Sequence, residues 1–437
     1  MEIVGINKEN ILKISKYKNE SSKIRDFRVD SYNKFMELGM PNFGPKLSID
    51  FNKIIYYKNN EKDNMIKSDW NNILKPIVDE LDSVGVRESE THMGGMGVQY
   101  ESEVIYHSML KEIEDKHVIF TSIEMAMKEY PEIVNKYFGK IVKNDENKFA
   151  ALNGAVFSGG SFIYIPPHTK LDRPLQSYFR INAKNMGQFE RTLIVVDDDS
   201  DLHYIEGCTA PTYSDSSLHA AVVEIYVGKG SKCRYSTIQN WAPNVYNLVT
   251  KRALVDENGT MEWIDGNIGS KITMKYPCCV LKGNNSKGTC ITISMASTGQ
   301  EQDSGARMIH LGKNTKSTIL SKSISRNGGN ASYRGKVYID KEALNSESLV
   351  KCDTLILDDK SKSDTFPDNS CYNEDSSIEH EATVSKISED NLFYLMSRGI
   401  DKNRVEELIV LGFIEKFREE LPMEYAVELN QLIKRNL

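Results

Sequence analysis

A chain of 437 residues is too long for a single ordinary hydrophobic core, so its length predicts two or three domains. Its hydrophobic fraction of 40% and charged fraction of 27% are those of a folded globular protein, and its net charge of −7 argues against nucleic acid as a partner. No apolar run is long enough to cross a bilayer, and the lysine-rich N-terminus looks like neither a secretory signal nor an anchor, so no membrane association is expected.

Residues 1–150 are predicted to form an N-terminal domain of helices and mixed structure. Apolar residues recur at helical spacing before Gly39, which predicts helices within residues 1–40. Residues 41–100 are mixed. From 101 to 140 helices are predicted again, because Thr121 and Glu124 have the spacing of a capping box and Pro131 is expected to bend or divide the helix that follows.

Residues 151–385 have the composition of short strands separated by polar turns. Turn-then-strand units begin at positions 197, 228, 256, 283 and 312, so successive starts differ by 31, 28, 27 and 29 residues. A repeat near this length, made of strands and polar corners, is typical of stacked coils. The sequence therefore predicts a mainly β fold, a β-solenoid of the β-helix type, whose two open ends the flanking domains could cover.

Residues 386–437 return to a helical pattern and are predicted to form a small C-terminal helical domain. Val405, Leu408, Ile409 and Phe413 fall on one helical face. Pro422 is expected to open a last helical segment.

The cysteines indicate a reducing compartment, because they are odd in number and lack the CxxC spacing of zinc or thioredoxin-like sites. We therefore expect a cytoplasmic protein, or one of the plastid stroma if it is organellar. Cys208 lies between Gly207 and Pro211 at a predicted turn, where a thiol is easily reached, although an inert turn cysteine fits equally well. Cys352 lies in a predicted strand, where a buried structural thiol is the simplest interpretation.

Three ionisable residues, Glu379, His380 and Glu381, stand where the predicted solenoid gives way to helices. On a strand the two glutamates point to one face and the histidine to the other. Imidazole and carboxylate groups are ligands for iron or zinc, and a nearby thiolate would favour an iron–sulfur centre. The alternative is that the carboxylates are solvated and the imidazole caps a helix or bonds to backbone.

The chain lacks the sequence motifs of two enzyme classes, the P-loop nucleotide hydrolases and the serine hydrolases. The chain has no G-x-x-x-x-G-K-[ST] phosphate loop, so any ATP hydrolysis would have to come from a partner, and it has no G-x-S-x-G nucleophile elbow. A β-helical enzyme that cleaves polysaccharides with paired carboxylates is a further alternative. The free thiols and the lack of an export signal argue against it.

Several segments from about residue 100 onward carry a family resemblance, among them AALNGAVFSGGSFIYIP, YIEGCTAPTY, YSTIQNW, NLVTKRA and HEATVSKISEDNLFYLMSRGI. They closely resemble the SufB members of the SufB/SufD family of the Suf system. The resemblance implies a right-handed parallel β-helix flanked by helical regions, in agreement with the repeat spacing. It also implies a scaffold without its own ATPase that accepts persulfide sulfur and iron.

Site residues follow from the same resemblance. Cys208 would be the sulfur acceptor, and the residues that would line the sulfur route are Arg180, Asn182, Gln239, Trp241 and Lys251. Cationic and amide groups suit this role because they stabilise a persulfide anion. The nascent cluster would be held by Cys352, Glu379, His380 and Glu381, with Cys352, His380 and Glu381 as the metal ligands.

The resemblance also implies partners and cargo. The partners would be the paralogue SufD, the ATPase SufC bound to the C-terminal helices, a cysteine desulfurase with its sulfur-transfer protein (SufS with SufE or SufU), and apo iron–sulfur acceptor proteins. A transient [4Fe–4S] or [2Fe–2S] cluster would form at the SufB–SufD interface, reduced flavin (FADH2) could act in the complex, and two copies of the chain could pair when SufD is absent.

This chain departs from the family pattern at two positions. Asp364 stands where many members have histidine, and Leu395 stands where a cysteine often occurs. The first departure removes one candidate ligand. The alternative function is a SufD-like structural subunit of the same complex without cluster chemistry, although Cys208 and the set of Cys352 with Glu379 to Glu381 argue against it.

Overall fold

The computed structural model describes residues 1–59, 66–82, 86–181, 185–209, 217–387 and 389–419, together with residues 430 and 433. Two large sheets of mostly parallel strands face each other across an apolar interior. They form a β-solenoid of about seven turns with helices at both termini, which confirms the predicted mainly β fold.

The N-terminal elements are β1 (Glu2–Val4), α1 (Lys8–Tyr17), α2 (Ser22–Glu37), β2 (Ile55–Lys58), α3 (Lys75–Asp82), α4 (Val86–Ser89), β3 (Gly95–Tyr100), β4 (Glu103–Met109), α5 (Lys111–Glu114), β5 (Ile119–Ser122), α6 (Ile123–Glu129), α7 (Pro131–Tyr137) and α8 (Lys148–Val156). The next strands are β6 (Ser161–Ile165), β7 (Leu175–Arg180), β8 (Gly187–Gln188), β9 (Arg191–Val196), β10 (Asp201–Thr209), β11 (Ser217–His219), β12 (Val222–Val227), β13 (Lys232–Trp241) and β14 (Val245–Val255). They are followed by β15 (Thr260–Gly269), β16 (Ile272–Lys275), β17 (Cys278–Leu281), β18 (Lys287–Ala296), β19 (Glu301–His310), β20 (Lys316–Ser325), β21 (Asn330–Ile339), β22 (Glu347–Ile356), β23 (Thr365–Cys371) and β24 (Ser377–Lys386). The C-terminal helices are α9 (Glu389–Met396), α10 (Lys402–Phe413) and α11 (Glu415–Glu419).

Each coil adds one strand to each sheet. The 10-stranded sheet has the order β24-β22-β20-β18-β15-β13-β10-β7-β3-β4, and the main path of the 12-stranded sheet is β23-β21-β19-β16-β14-β12-β9-β6-β5. Only the pairs β3–β4 and β5–β6, at the N-terminal end, are antiparallel within these sheets. The sheets begin before residue 150, because the glycine-rich stretch of β3 pairs in parallel with β7.

A ladder of left-handed corner residues explains the repeat spacing. These corners have positive φ, between 54° and 66°, and are Asp199, Gly230, Asn258, Asn285 and Asn314. Their spacing equals the predicted spacing of the repeats, and each backbone N–H donates to a carbonyl of the next coil, as from Asn285 to Lys313 at 2.8 Å. Asparagine, aspartate and glycine are the residues that tolerate this backbone conformation, so the polar corners set where each coil turns.

The N-terminal domain covers the outer face of the 12-stranded sheet. Every residue of α8 except its first is buried, and its neighbours include β14. A buried ion pair fixes the contact, because Arg191 Nη2 lies 2.8 Å from Glu224 Oε2, and the same carboxylate accepts the backbone N–H groups of Ile141 and Val142. Fully hydrogen-bonded charges of this kind are tolerated in a core.

The C-terminal helices pack against the outer face of the 10-stranded sheet. Val410, Ile414 and Phe417 are buried in one cluster with Ile238 and Ile264 of the sheet. The prediction that a flanking domain covers both open ends is therefore wrong for the C-terminal end within the described residues. There β23 and β24 end the two sheets, and most of their residues are exposed.

Three local predictions can be compared with the structure. The helix predicted at Thr121 begins one residue later, because Ser122 is its N-cap and accepts from the backbone N–H of Met125, while Thr121 lies within β5. Pro131 divides the helix as predicted. Leu408, predicted on the buried face of α10, is 41% exposed.

The helix predicted after Pro422 lies outside the described residues. Within the part of the chain that the structure describes, no helix combines the length and apolar character that crossing a bilayer requires.

Candidate functional site

Cys208 lies inside the solenoid, on the face of β10 that points towards the opposite sheet. Its side chain is fully buried in a cluster with Ile55, Phe179 and Trp241. The expectation of an easily reached turn thiol is wrong, because the strand continues to Thr209 and the thiol points inward.

Two polar side chains contact the Cys208 thiol. Its Sγ atom donates to Glu206 Oε1 at 3.6 Å, and Gln239 Nε2 donates to Sγ at 3.9 Å. Burial raises the pKa of Cys208 well above its ordinary value, the carboxylates of Glu206 and Glu190 raise it further, and the ammonium groups of Lys251 and Lys275 oppose them. The resting group is therefore a thiol.

A chain of buried hydrogen bonds approaches Cys208 from the 12-stranded sheet. His219 Nε2 lies 2.5 Å from Glu190 Oε1, and His219 Nδ1 lies 2.7 Å from Asn247 Oδ1. Asn247 Nδ2 donates to Gln239 Oε1 at 2.9 Å. Gln239 thus joins this chain to the thiol.

Two buried lysines share one aspartate next to these groups. Lys251 Nζ and Lys275 Nζ lie 3.3 and 3.2 Å from Asp265 Oδ1, and all three side chains are fully buried. Burial lowers the pKa of Lys275 to about 8, although Asp265 opposes the shift. Burial alone would raise the pKa of Asp265, but the two ammonium groups outweigh it and lower the pKa. Two ammonium groups on one carboxylate favour an anion nearby.

The other residues predicted for the sulfur route have different surroundings. The Trp241 ring lies 4.6 Å, centroid to centroid, from the His219 ring. Arg180 Nη1 donates to Thr209 Oγ1 at 3.0 Å, next to Cys208 in the chain. Asn182 lies outside the described residues.

An inward polar column joins the surroundings of Cys208 to Cys352. Strand pairing puts six residues of the 10-stranded sheet in one register: Glu206, Thr237, Asp265, Thr292, Ser321 and Cys352. Two of its five steps are side-chain hydrogen bonds, since Thr237 Oγ1 donates to Asp265 at 3.1 Å and Thr292 Oγ1 to Ser321 at 3.2 Å. Five strand spacings correspond to roughly 24 Å. A line of polar side chains therefore runs through the interior from Glu206 to Cys352.

Cys352 and His380 come together at the open end of the solenoid. Cys352 Sγ lies 3.8 Å from His380 Nε2, and Asn369 Nδ2 of β23 lies 3.1 Å from His380 Nδ1. Burial raises the pKa of Cys352 to about 12, with a smaller contribution from Asp353. The simplest interpretation of Cys352, a buried strand thiol, agrees with its burial, but its histidine neighbour makes the pair suitable for a metal.

Glu379 and Glu381 point away from Cys352, as the alternation of a strand predicts. Glu381 Oε2 forms an exposed ion pair with Lys351 Nζ at 3.1 Å. No group of three or more histidine, cysteine, aspartate or glutamate side chains is arranged to hold a metal ion within the described ranges. The chain itself brings together two of the three predicted metal ligands, Cys352 and His380.

Several polar residues of the interior escaped sequence reasoning. They are Glu190, Glu206, His219, Asp265 and Lys275, and Asn369 on the exposed strand β23 escaped it too. A charged residue in an otherwise β-branched strand is the only local signal that they carry. Their neighbours become visible only when the coils are aligned, because 27 to 31 residues separate successive corners of the ladder.

Comparison with known proteins identifies the family. A family model described as "SUF system FeS cluster assembly, SufBD core domain" matches residues 179–413, and one described as "SufBD protein N-terminal region" matches residues 13–177. The chain belongs to the SufB/SufD family. It is 53% identical to "Iron-sulfur cluster assembly protein SufB" of Bacillus subtilis over 98% of this chain and 92% of the relative.

Other SufB/SufD family members are equally similar. "Iron-sulfur cluster assembly SufBD family" proteins of Staphylococcus aureus and Staphylococcus epidermidis are 54% identical, again over 98% of this chain and 92% of each relative. The SufB resemblance read from the motifs is confirmed, and iron–sulfur cluster assembly is the process to which the family belongs.

Proposed function

We propose that this chain is the scaffold on which an iron–sulfur cluster is built. It takes persulfide sulfur on Cys208, receives iron, and assembles the cluster beside Cys352 at the open end. The inward polar column is the observation that carries the proposal, because it links the two thiols through the interior. The chain contributes no ATPase of its own, and SufC hydrolyses the ATP.

The groups around Cys208 suit an anionic sulfur species. A persulfide anion inside an apolar stack needs cations and hydrogen-bond donors, since burial disfavours charge. Lys251 supplies a cation and Gln239 an amide donor close to the thiol. Arg180 and Asn182 are proposed to guide sulfur to Cys208, and Trp241 to exclude water.

The cluster is the cargo of the site. Thiolate and imidazole both bind iron, and a mixed ligand set holds a cluster less firmly than four thiolates, which suits release. Cys352 and His380 are already adjacent. Glu381 would have to leave Lys351 to reach iron, and Glu379 completes the proposed set from the same outer face. The cluster is proposed to be transient, of the [4Fe–4S] or [2Fe–2S] type.

The exposed strands β23 and β24 favour completion of the site by a second β-helix. SufD is proposed to dock there, so that the cluster forms at the SufB–SufD interface, and a second copy of this chain takes that position when SufD is absent. Both free edges have unpaired backbone groups suited to strand addition.

The remaining partners follow from the family. SufC is proposed to bind the helices of residues 386–437, a third domain beside the N-terminal domain of residues 1–150 and the solenoid of residues 151–385. A cysteine desulfurase with its transfer protein, SufS with SufE or SufU, supplies sulfur, and apo iron–sulfur proteins take the product. The complex would act in the cytoplasm, or in the stroma of a plastid, with reduced flavin (FADH2) as a reductant to which no residue of this chain is assigned.

A SufD-like structural subunit is the second candidate. The full burial of Cys208 favours it, because an enclosed thiol with a raised pKa is inert unless its cover moves. Such a subunit would keep the β-helix and perform no sulfur chemistry.

One experiment separates the two functions. The complex with SufC and SufD is reconstituted anaerobically with iron, and sulfur is supplied either by the desulfurase or as free sulfide. We expect Cys208→Ser to lose cluster only with the desulfurase, because free sulfide bypasses the acceptor, and Cys352→Ser to lose it in both. Cys233→Ala, a buried interior thiol outside the column, is the control. Equal yields from all variants would support the structural subunit.

A further inference from the structure

Glu206 is the acidic group in contact with the proposed sulfur acceptor. We propose that Glu206 accepts the proton of the Cys208 thiol during sulfur uptake, and that Tyr235 is the positioning residue that holds its carboxylate. This assignment rests on the proposed role of Cys208 as the acceptor. It adds a catalytic residue to the site.

The geometry fixes the carboxylate against the thiol. Glu206 and Cys208 are two residues apart on β10, so their side chains share the inward face. The Sγ atom donates to Oε1 of Glu206, while the Tyr235 hydroxyl donates to Oε2 in a short hydrogen bond. Each carboxylate oxygen therefore has one defined partner, and all three side chains are buried.

A base is needed because Cys208 is enclosed. The thiolate is the nucleophile in sulfur transfer, and a buried thiol with a raised pKa stays protonated. The fully buried thiol has no exposed surface, and the carboxylate of Glu206 is the acceptor already bonded to it. Gln239 contacts the sulfur through its amide N–H, which is a donor and cannot serve.

Other charged and titratable groups face this pair from the surrounding strands. They are Tyr204 of β10, Glu190 before β9, His219 of β11, Lys251 of β14 and Lys275 of β16. Glu190 is hydrogen-bonded to His219. The two lysines are cations that stabilise a thiolate through space. Among the described residues, Glu206 is the carboxylate bonded to Sγ.

The step balances without an oxidant or reductant. Cys208 Sγ attacks the terminal sulfur of a protonated cysteine persulfide on the donor protein. The new S–S bond to Cys208 forms as the S–S bond of the donor breaks, and the donor cysteine leaves as a thiolate. The proton of Cys208 moves to Glu206 Oε1 and later neutralises the departing thiolate, so the carboxylate is regenerated.

The test measures sulfur on Cys208 and not cluster yield. The complex is exposed to the desulfurase and its transfer protein from about pH 6 to about pH 9.5, and the persulfide on Cys208 is quantified over time by mass spectrometry. The first variant is Glu206→Gln, which keeps the size of the side chain and an acceptor for the Tyr235 hydroxyl. The second is Tyr235→Phe, which keeps the Glu206 carboxylate but removes the hydroxyl that holds it in place. Glu262→Gln, a carboxylate paired with Arg234 on the other face of the same sheet, is the matched control.

We expect Glu206→Gln to slow sulfur uptake on the order of 100-fold at neutral pH, the usual size of a lost general base, and to shift the pH profile to higher pH. Tyr235→Phe should slow it less, and Glu262→Gln should match the wild type. A circular dichroism spectrum and a urea denaturation midpoint equal to those of the wild type would show that Glu206→Gln is folded.

The outcomes are separable. If wild-type Cys208 takes up sulfur and Glu206→Gln does so at the same rate and with the same pH profile, Glu206 is not the proton acceptor, although the proposed function stands. If wild-type Cys208 takes up no sulfur, the proposed function fails and the assignment of Glu206 fails with it.

Discussion

Cys352 Sγ and His380 Nε2 lie 3.8 Å apart on neighbouring strands, at the end of the solenoid that no flanking helix covers within the described residues. Cys352 is buried below the rim, whereas His380 is partly exposed on the last strand. A soft sulfur ligand and an imidazole thus meet where the interior opens to solvent.

His380 should therefore affect cluster formation regardless of the sulfur source. We expect His380→Ala to lower cluster yield several-fold with both free sulfide and the desulfurase, because it removes a proposed metal ligand and leaves the proposed sulfur route intact. Mössbauer and optical spectra measure the yield. Ser385→Ala, an exposed change on the same strand, serves as the control, and a full yield from His380→Ala with an unchanged spectrum would remove the histidine from the ligand set.

Substitutions at Glu381 and Lys351 test whether a carboxylate that forms a surface ion pair also binds iron. An exposed pair of this kind contributes little to stability. We expect both Glu381→Gln and Lys351→Met to leave the urea denaturation midpoint unchanged, while only Glu381→Gln lowers the iron bound after reconstitution. Equal iron contents in the two variants would mean that the carboxylate is only a surface charge.

Asn369 should act through the orientation of His380. Its amide contacts Nδ1 of the imidazole, and such partners fix the ring that binds a metal. We expect Asn369→Ala to weaken iron retention about 10-fold, the lower end for lost outer-sphere partners. A chelator competition assay measures this. Asn369→Asp, which exchanges the amide donor for a carboxylate that can accept from the Nδ1–H of a metal-bound imidazole, should retain most of the affinity, and loss in both variants would indicate a different role.

Lys275 should make stability depend on pH. Its pKa is about 8 in the folded chain, against about 10.4 for an unperturbed lysine. Between these values the unfolded chain binds more protons at this group, so its contribution to stability increases as pH rises. We expect the urea denaturation midpoint of the wild type to rise relative to that of Lys275→Met as pH increases through this window. If Lys275 had the pKa of an ordinary lysine in the folded chain, the denaturation midpoints of the two proteins would change in parallel with pH.

Asn314 should contribute to the stability of the fold through its backbone conformation. Its φ of 57° lies in the left-handed region, where a β-branched side chain is strained. We expect Asn314→Val to lower the free energy of unfolding by about 1–2 kcal/mol, whereas Asn314→Gly stays close to wild type. Urea denaturation of both variants provides the measurement. A matching loss in both would point to the asparagine side chain and not to φ.

The fold could be predicted from the sequence because the same kind of corner residue recurs in each coil. Polar corners such as Asn258 and Asn285 recur with the coil, so their spacing alone predicted the stack. The exposure of the C-terminal rim could not be predicted from the sequence. A helical pattern indicates which face of a helix is apolar but not which sheet that face packs against. Leu408 shows this limit, since its helical face was predicted correctly as apolar but the residue is exposed.

The site was readable only in part for a related reason. The family motifs indicated Cys208 and Cys352, and strand alternation correctly separated His380 from Glu379 and Glu381. The burial of Cys208 and its contact with Glu206 depend on where β10 ends, and the turn predicted at Cys208 is wrong because the strand continues to Thr209. Asn369 reaches His380 from the other sheet, a contact that no local pattern contains.

Within the part of the chain that the structure describes, no strand or helix covers the rim at β23 and β24, and this has a consequence for the cell. Unpaired strand edges recruit other strands indiscriminately, and only Pro367 and a few charged side chains on these strands oppose this. An orphan subunit made in excess of its partner would therefore be prone to aggregate. Balanced production of the subunits would then be a requirement of solubility as well as of chemistry.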